Sequence, residues 1–220
     1  MSERLDRETI AMRIAKELQD GCYVNLGIGI PTLVSDFIPE GRTIIFQAEN
    51  GILGYGPIAS EEERDFDLVN AGGQPVTLVP GACFFHHADS FAMIRGGHID
   101  VTILGGYQVS EKGDLANWLV PPRKAGSIGG AMDLATGAKR VIIAMEHTTK
   151  DGEPKIVKEC TYPLTGKECV NLVVTDLAVI EVTKEGLLLK EYAPGFSVEE
   201  IQAVTEPKLI VAEDLKEIEL

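Results

Sequence analysis

Tyr23-Val24-Asn25-Leu26-Gly27-Ile28-Gly29-Ile30-Pro31 sets a short, mostly apolar run directly before a tight glycine turn, and a short apolar helix is expected to follow over residues 32–37. Strand, turn and helix in immediate succession are the repeating step of an open α/β sheet. Similar apolar runs recur at 43–46, 76–79, 100–104, 140–145 and 171–174, most of them β-branched and bounded by glycine or proline. Strands covered on both faces read as continuous apolar runs of this kind rather than as alternation. Upstream, Ile10, Ile14 and Leu18 fall at helical spacing, with Asp6 placed to cap the helix and Gly21 to stop it. The fold class is therefore α/β: an open, largely parallel sheet with helices on both faces, expected to form one domain over residues 1–220.

Composition narrows the function. Hydrophobic residues make up 45% of the chain and charged residues 25%, which excludes a disordered or fibrous class. A net charge of -14 argues against nucleic acid, whose binders present a basic face to the phosphates. No signal peptide and no run of about 18 apolar residues is evident, so no membrane partner is expected and a cytoplasmic location is. Cys22, Cys83, Cys160 and Cys169 lack C-x-x-C spacing and read as reduced thiols. No metal is expected either: His86-His87 and His98 have no carboxylate or cysteine at ligand spacing, and His147 reads as a structural or surface histidine. The acidic tail, about 205–220, reads as a solvated terminal segment.

Several local features could carry chemistry. Gly27-x-Gly29-x-Pro31 suits a phosphate cradle, but it lacks the third glycine and the ribose-binding acid of a dinucleotide fingerprint, and a simple chain reversal reads from it equally well. Residues 51–56 and 126–130 read as ordered, glycine-rich functional loops. Glu49 stands just beyond an apolar run and before Asn50-Gly51, a pair suited to a turn with positive φ. A carboxylate at a strand's C-terminal end points into the crevice where open α/β sheets bind ligands, although a surface glutamate beside a turn has the same signature.

Five motifs, in order, change that weighting. Gln47-Ala48-Glu49-Asn50-Gly51, Val69-Asn70-Ala71-Gly72-Gly73, Ser90-Phe91-Ala92-Met93-Ile94-Arg95-Gly96-Gly97-His98, Gly113-Asp114-Leu115-Ala116-Asn117-Trp118 and Gly129-Gly130-Ala131-Met132-Asp133-Leu134 together resemble the beta subunit of family I coenzyme A transferases. The resemblance covers nearly the whole chain. It implies an isomerase-like α/β fold and a ping-pong transferase in which Glu49 attacks an acyl-CoA, forming first an acyl-glutamyl anhydride and then a glutamyl-CoA thioester. Coenzyme A is then a substrate and transient adduct, and no permanently bound cofactor is implied. Gly130 is implied to offer its backbone N–H to the oxyanion. Asn50 and Gly51 shape the loop that presents Glu49, while Gly27, Gly29, Asn70, Ala71 and Gly72 are candidates for the pantetheine path. Arg95 and Lys112 could face the CoA phosphates, and a solvated surface role reads from either equally well.

The implied partners are a separate alpha subunit, in an α2β2 heterotetramer, together with acyl-CoA and short-chain carboxylates. Acetyl, butyryl, succinyl and 3-oxoacyl groups all remain open. Ala48 and Ser127-Ile128 depart from the usual family pattern beside the site, Pro122 departs from it in the segment leading to the Gly129-Gly130 loop, and all bear on acyl specificity. Two other functions stay in view: a CoA-thioester hydrolase on the same scaffold, and a non-catalytic ligand-binding domain of related fold.

Overall fold

The computed structural model describes residues 3–122 and 125–219. Helix α1 (Arg7–Ala15) opens on Asp6, whose carboxylate accepts from the Thr9 N–H at 2.7 Å, and buries Ile10 and Ile14. It ends sooner than the sequence suggests: Leu18 is buried from the turns that follow, and Gly21 leads into strand β1 (Tyr23–Leu26). Helix α2 (Ile30–Leu33) continues as a 3-10 turn (Val34–Phe37), so the expected apolar helix is two short helical pieces beginning slightly earlier.

The remaining strands are β2 (Ile45–Ala48), β3 (Ile52–Ile58), β4 (Val76–Phe84), β5 (Val101–Gly105), β6 (Gln108–Ser110), β7 (Leu115–Ala116), β8 (Arg140–Ala144), β9 (Ile156–Val157), β10 (Leu172–Val174), β11 (Ala178–Val182), β12 (Leu187–Tyr192) and β13 (Leu209–Glu217). Helices α3 (His87–Arg95), α4 (Ala131–Gly137) and α5 (Val198–Ala203) complete the chain. Ten strands form one sheet in the order β13-β12-β11-β10-β8-β5-β1-β2-β3-β4, and β7-β6-β9 form a small second sheet.

The parallel centre, β10-β8-β5-β1-β2, is built from the apolar runs at 23–26, 43–46, 100–104, 140–145 and 171–174. Along these strands successive residues feed opposite cores. Val101 and Ile103 of β5 and Ile142 of β8 pack with α1 and α2 on one face, while Leu104, Val141 and Ile143 pack with α3, α4 and α5 on the other. Arg13 ties α1 across to the far strands, donating to Glu191 at 2.6 and 2.9 Å and to Glu17 at 2.9 Å.

Three expectations fail. Residues 51–56 are not a loop: from Ile52 on they are most of β3, which pairs antiparallel with β2 through a register shift that absorbs Gly54. Residues 76–79 begin a long antiparallel edge strand that is largely exposed, not a central one. The tail is not a free segment. A capping box at Ser197 and Glu200 starts α5, and β13 then pairs parallel to β12. Leu209, Ala212 and Ile218 turn inward while Glu213, Asp214 and Glu217 face water, so one strand satisfies both the apolar and the acidic residues.

Candidate active site

The parallel strands β1, β2, β5 and β8 all end at one edge, and their next residues meet there. Gly27 after β1, Glu49 after β2, Gly106 after β5 and Glu146 after β8 line a cavity of about 490 Å³, closed on one side by Ser127, Ile128, Gly129 and Gly130. Strand order also reverses at this point, since β1 lies between β2 and β5; open α/β sheets place their ligands at such a switch.

Glu49 is held from three directions. Its own turn closes with the Gly51 N–H donating to the Ala48 carbonyl at 3.0 Å. Gly51 has φ of 123°, and a Cβ there would collide with the Phe85 carbonyl oxygen, so the Asn50-Gly51 turn admits only glycine. Asn50 Nδ2 anchors the outside of the turn on the Val69 carbonyl at 2.7 Å. From beneath, Asn25 Nδ2 donates to Glu49 Oε2 at 3.1 Å and to Gln47 Oε1 at 2.7 Å. Gln47 Nε2 in turn donates to Ser90 Oγ on α3.

Asn25, Gln47 and Ser90 are all fully buried, so a polar relay links α3 through two central strands to the carboxylate. Among the described residues, Asn25 Oδ1 and Thr102 Oγ1, which are register neighbours on β1 and β5, are buried without a partner. Uncommitted hydrogen-bonding capacity therefore sits directly behind Glu49.

Gly130 caps α4 opposite Glu49. A Cβ on it would stand 3.7 Å from Glu49 Cγ and 3.0 Å from Phe91 Cζ, which measures how closely this backbone approaches the carboxylate. Its N–H has no acceptor among the described residues. A second crevice, of about 710 Å³, opens on the other side of Glu49 and is lined by Asn50, Ala71, His87, Ala88, Phe91, Arg95, Gly129 and Gly130. Arg95 lies 5.7 Å over the Phe91 ring and pairs with Asp133 at 2.6 Å, joining α3 to α4 along this wall. Glu49 thus stands where the two spaces meet.

The structure gathers Glu49, Gly27 and Gly130 at the first cavity and Asn50 and Ala71 at the second. Gly51 belongs to the turn itself and lines neither space, and Gly29 caps α2. Asn70 is buried in its own turn, its Oδ1 accepting from the Gly72 and Gln74 N–H groups at 2.9 and 3.0 Å. Lys112 lies between β6 and β7 and lines neither space. Ser127 and Ile128 wall the first cavity, whereas Arg123 and Lys124 of the preceding loop lie outside the described residues. Sequence reasoning missed Asn25, Ser90 and Lys155 as site-forming residues, and it gave Gln47 no role. The available signal was a polar side chain inside each of two otherwise apolar central strands, which buried geometry obliges to find partners.

Charge is distributed unevenly around the cleft. Arg7 and Lys155 line the cavity along with Glu146. Burial pushes the Lys155 ammonium below its usual range, opposed by the fields of Glu146 and Asp176. Burial, with the Glu49 carboxylate adding to it, pushes the Tyr55 hydroxyl up. Away from the cleft, burial lifts Cys160 to about 12 and Cys169 to about 11, which keeps both as thiols. Among the described residues no group of three or more His, Cys, Asp or Glu side chains converges as a metal site, and no helix is long and apolar enough to cross a membrane.

A hydrogen-bonded glutamate, set between two spaces at the carboxyl edge of a parallel sheet and faced by a close glycine backbone, makes this a candidate α/β cleft centred on a carboxylate. The sequence model described as coenzyme A transferase matches residues 7–203, and the chain belongs to that family. It is 54% identical over 205 residues to a subunit of the succinyl-CoA:3-ketoacid coenzyme A transferase of Helicobacter pylori, covering 93% of this chain and 99% of that one. It is 50% identical over 210 residues to a subunit of the 3-oxoadipate CoA-transferase of Acinetobacter baylyi, covering 95% and 97%. Among solved structures, an acyl-CoA transferase of Escherichia coli O157:H7, in a thioester complex with CoA, superposes with a TM-score of 0.77 at 20% identity. That match covers all of this chain but 44% of the other, so this chain spans less than half of that protein. The open sheet with helices on both faces agrees with that likeness of fold.

Proposed function

We propose that this chain is the glutamate-bearing subunit of a CoA transferase that exchanges CoA between a short-chain acyl-CoA and a 3-oxo acid. The observation that carries the proposal is the Glu49 carboxylate, held by Asn25 at 3.1 Å and faced by the Gly130 backbone at the junction of two spaces. The names of the relatives support the substrate class. Succinyl and 3-oxoadipate groups each carry a carboxylate beyond the one that is activated, and we extend that class, a dicarboxylic acyl group, to this chain.

In the proposed reaction a Glu49 oxygen attacks the thioester carbonyl, the C–S bond breaks, and CoA leaves as a thiolate with an acyl-glutamyl anhydride behind it. The thiolate then attacks the glutamyl carbonyl of the anhydride and expels the acyl carboxylate, giving a glutamyl-CoA thioester. The acceptor carboxylate repeats both steps in reverse and leaves as the new acyl-CoA, with Glu49 restored. Every intermediate is an anhydride or a thioester, so little of the activation energy is lost, whereas a serine ester would be a thermodynamic trap. The Gly130 N–H donates to the oxyanion of each tetrahedral intermediate. The crevice past Asn50, Ala71 and Arg95 receives the pantetheine arm, whose binding energy helps position the carbonyl.

A separate alpha subunit completes the site in this reading, in an α2β2 arrangement. Two observations support a second subunit, though not its stoichiometry: the relatives of full matching length are each named as one subunit of their enzyme, and the structural neighbour's chain is more than twice as long. The alpha subunit also offers a source of cations for the three CoA phosphoryl groups, which a chain of net charge -14 supplies sparingly.

The test is to incubate the reconstituted complex with succinyl-CoA, reduce with borohydride and locate the modified residue by mass spectrometry. Modification at Glu49, and loss of exchange in Glu49→Gln with assembly retained, is expected. Exchange without an adduct at Glu49 overturns the mechanism. Release of free CoA and acid in place of exchange would assign a hydrolase instead.

A further inference from the structure

The first cavity has a charged wall that the transfer chemistry leaves unused. Lys155 and Arg7 are the cationic side chains lining it; Lys155 directly precedes β9 of the small sheet and Arg7 reaches Glu146 beyond β8, while Glu49 directly follows β2. In strand order β8 and β2 are separated by β5 and β1, so at the usual strand spacing their axes lie about 14 Å apart across the cavity. Glu49 and Lys155 both line the cavity that occupies this span.

The two cations are not equivalent. Arg7 is largely exposed and already contacts Glu146 at 3.4 Å. Lys155 is partly buried, and among the described residues its ammonium has neither an ion-pair nor a hydrogen-bond partner. The carboxylates whose fields reach it are each engaged by an arginine: Glu146 by Arg7, and Asp176 by Arg4 at 2.9 Å. A half-buried ammonium without a hydrogen-bonded counterion is costly to fold around. In a strongly acidic chain it is also conspicuous, because nearby carboxylates could have neutralised it and instead pair elsewhere.

We propose that Lys155 is the specificity-determining receptor for the distal carboxylate of a dicarboxylic acyl group whose reacting carbonyl is presented to Glu49. This rests on the transferase reading above and adds to it the residue that recognises the far end of the substrate. The distal carboxylate supplies the partner that Lys155 lacks, in a cavity shielded enough for the pair to matter more than it would at the surface. Binding at that remote point orients the thioester carbonyl for attack. A monocarboxylic acyl group of the same length leaves the ammonium unpaired and gains nothing from it.

The experiment uses the reconstituted complex, wild type and with Lys155→Met or Lys155→Arg. Direct binding of succinate and of butyrate is measured by calorimetry, and exchange from succinyl-CoA and from butyryl-CoA to acetoacetate is measured alongside. Lys155→Met should weaken succinate about 10- to 100-fold and raise KM for succinyl-CoA by a similar factor, while butyrate and butyryl-CoA change less than about 3-fold. Lys155→Arg, which keeps the charge, should keep the preference for succinate. An equal loss for both ligands in Lys155→Met, or no loss for either, overturns the proposal. So does loss of the preference in Lys155→Arg, which decides the matter if Lys155→Met fails to assemble. Should the wild-type complex bind succinate yet exchange no CoA, the transferase reading falls, and the binding arm still decides the role of Lys155.

Discussion

Asn25 Nδ2 lies 3.1 Å from Glu49 Oε2 and 2.7 Å from Gln47 Oε1, so one buried amide fixes a carboxylate and the side chain two residues before it on the neighbouring strand. The same relay continues to Ser90, which ties the orientation of Glu49 to the seat of α3 on the sheet. Replacing Asn25 by alanine removes the donor and strands the Gln47 amide oxygen in the core. Stability should fall by about 1–3 kcal/mol, the usual cost of a buried polar group left unpaired. Exchange should fall about 100-fold in kcat, because Glu49 then samples orientations that miss the carbonyl. Urea denaturation and steady-state kinetics on the assembled complex measure the two effects separately, and a stability loss with unchanged kcat would confine Asn25 to packing.

Gly130 offers a cleaner separation of fold from function. Its backbone, at φ -89° and ψ 1°, lies in a negative-φ region open to alanine, and the nearest neighbours of the added methyl are Phe91 at 3.0 Å and Glu49 at 3.7 Å. Gly130→Ala should therefore fold with a change of about 1 kcal/mol or less, since the Phe91 ring end can give way, while exchange drops about 100-fold from crowding at the reacting carboxylate. A thermal melt paired with an exchange assay checks this. Full activity in that variant would show that a methyl at this position does not crowd the reacting carboxylate.

Gly51 should behave in the opposite way. Both its φ of 123° and the adjoining Phe85 carbonyl forbid a side chain, so Gly51→Ala must rebuild the turn between β2 and β3. Positive-φ strain alone costs about 1–3 kcal/mol, and the backbone collision adds to it. The variant should unfold at markedly lower urea concentration than Gly130→Ala and should lose the Asn50 to Val69 anchor. A fully stable Gly51→Ala would show that the turn is not set by its glycine.

The site is only partly legible in the sequence. Glu49, Gly51 and Gly130 belong to motifs of distinctive residue types, and the central strands announce themselves as continuous apolar runs because both faces are covered. The relay is hidden because Asn25 and Gln47 make sense only once β1 and β2 are known to be neighbours in register, a relation 22 residues apart in sequence. Lys155 is hidden for a similar reason: it reaches the cleft from the strand pair that links β9 to β6, far from every motif. The tail misleads because acidity reads as solvation, when an edge strand such as β13 can hold its acids in water and its backbone in the sheet.

His147 gives a prediction about pH that is independent of catalysis. The ring is fully buried, with Nδ1 2.9 Å from Thr175 Oγ1 and Nε2 2.8 Å from Thr205 Oγ1. The Thr205 hydroxyl donates to the Ile201 carbonyl at 2.7 Å, which assigns Nε2–H as its donor; the Thr175 hydroxyl proton is then shared between Nδ1 at 2.9 Å and the more distant Ala178 carbonyl at 3.3 Å, with the imidazole neutral. Burial is the main reason the pKa falls to about 4 from an ordinary 6.5, with Arg4 and Lys155 contributing and Asp176 opposing. Because the folded value lies below the unfolded one, the unfolded chain takes up this proton first as the solution is acidified. The contribution is therefore neutral above pH 6.5 and increasingly destabilising from there down to about pH 4, where it approaches about 3 kcal/mol. Urea midpoints measured between pH 7 and pH 4.5 should decline in the wild type and decline less steeply in His147→Gln. Equal slopes in the two proteins would show that the buried imidazole does not govern acid sensitivity in this range, leaving the ion-paired carboxylates Glu17 and Asp100, both held below their usual range by hydrogen bonds to basic side chains, to account for it at lower pH.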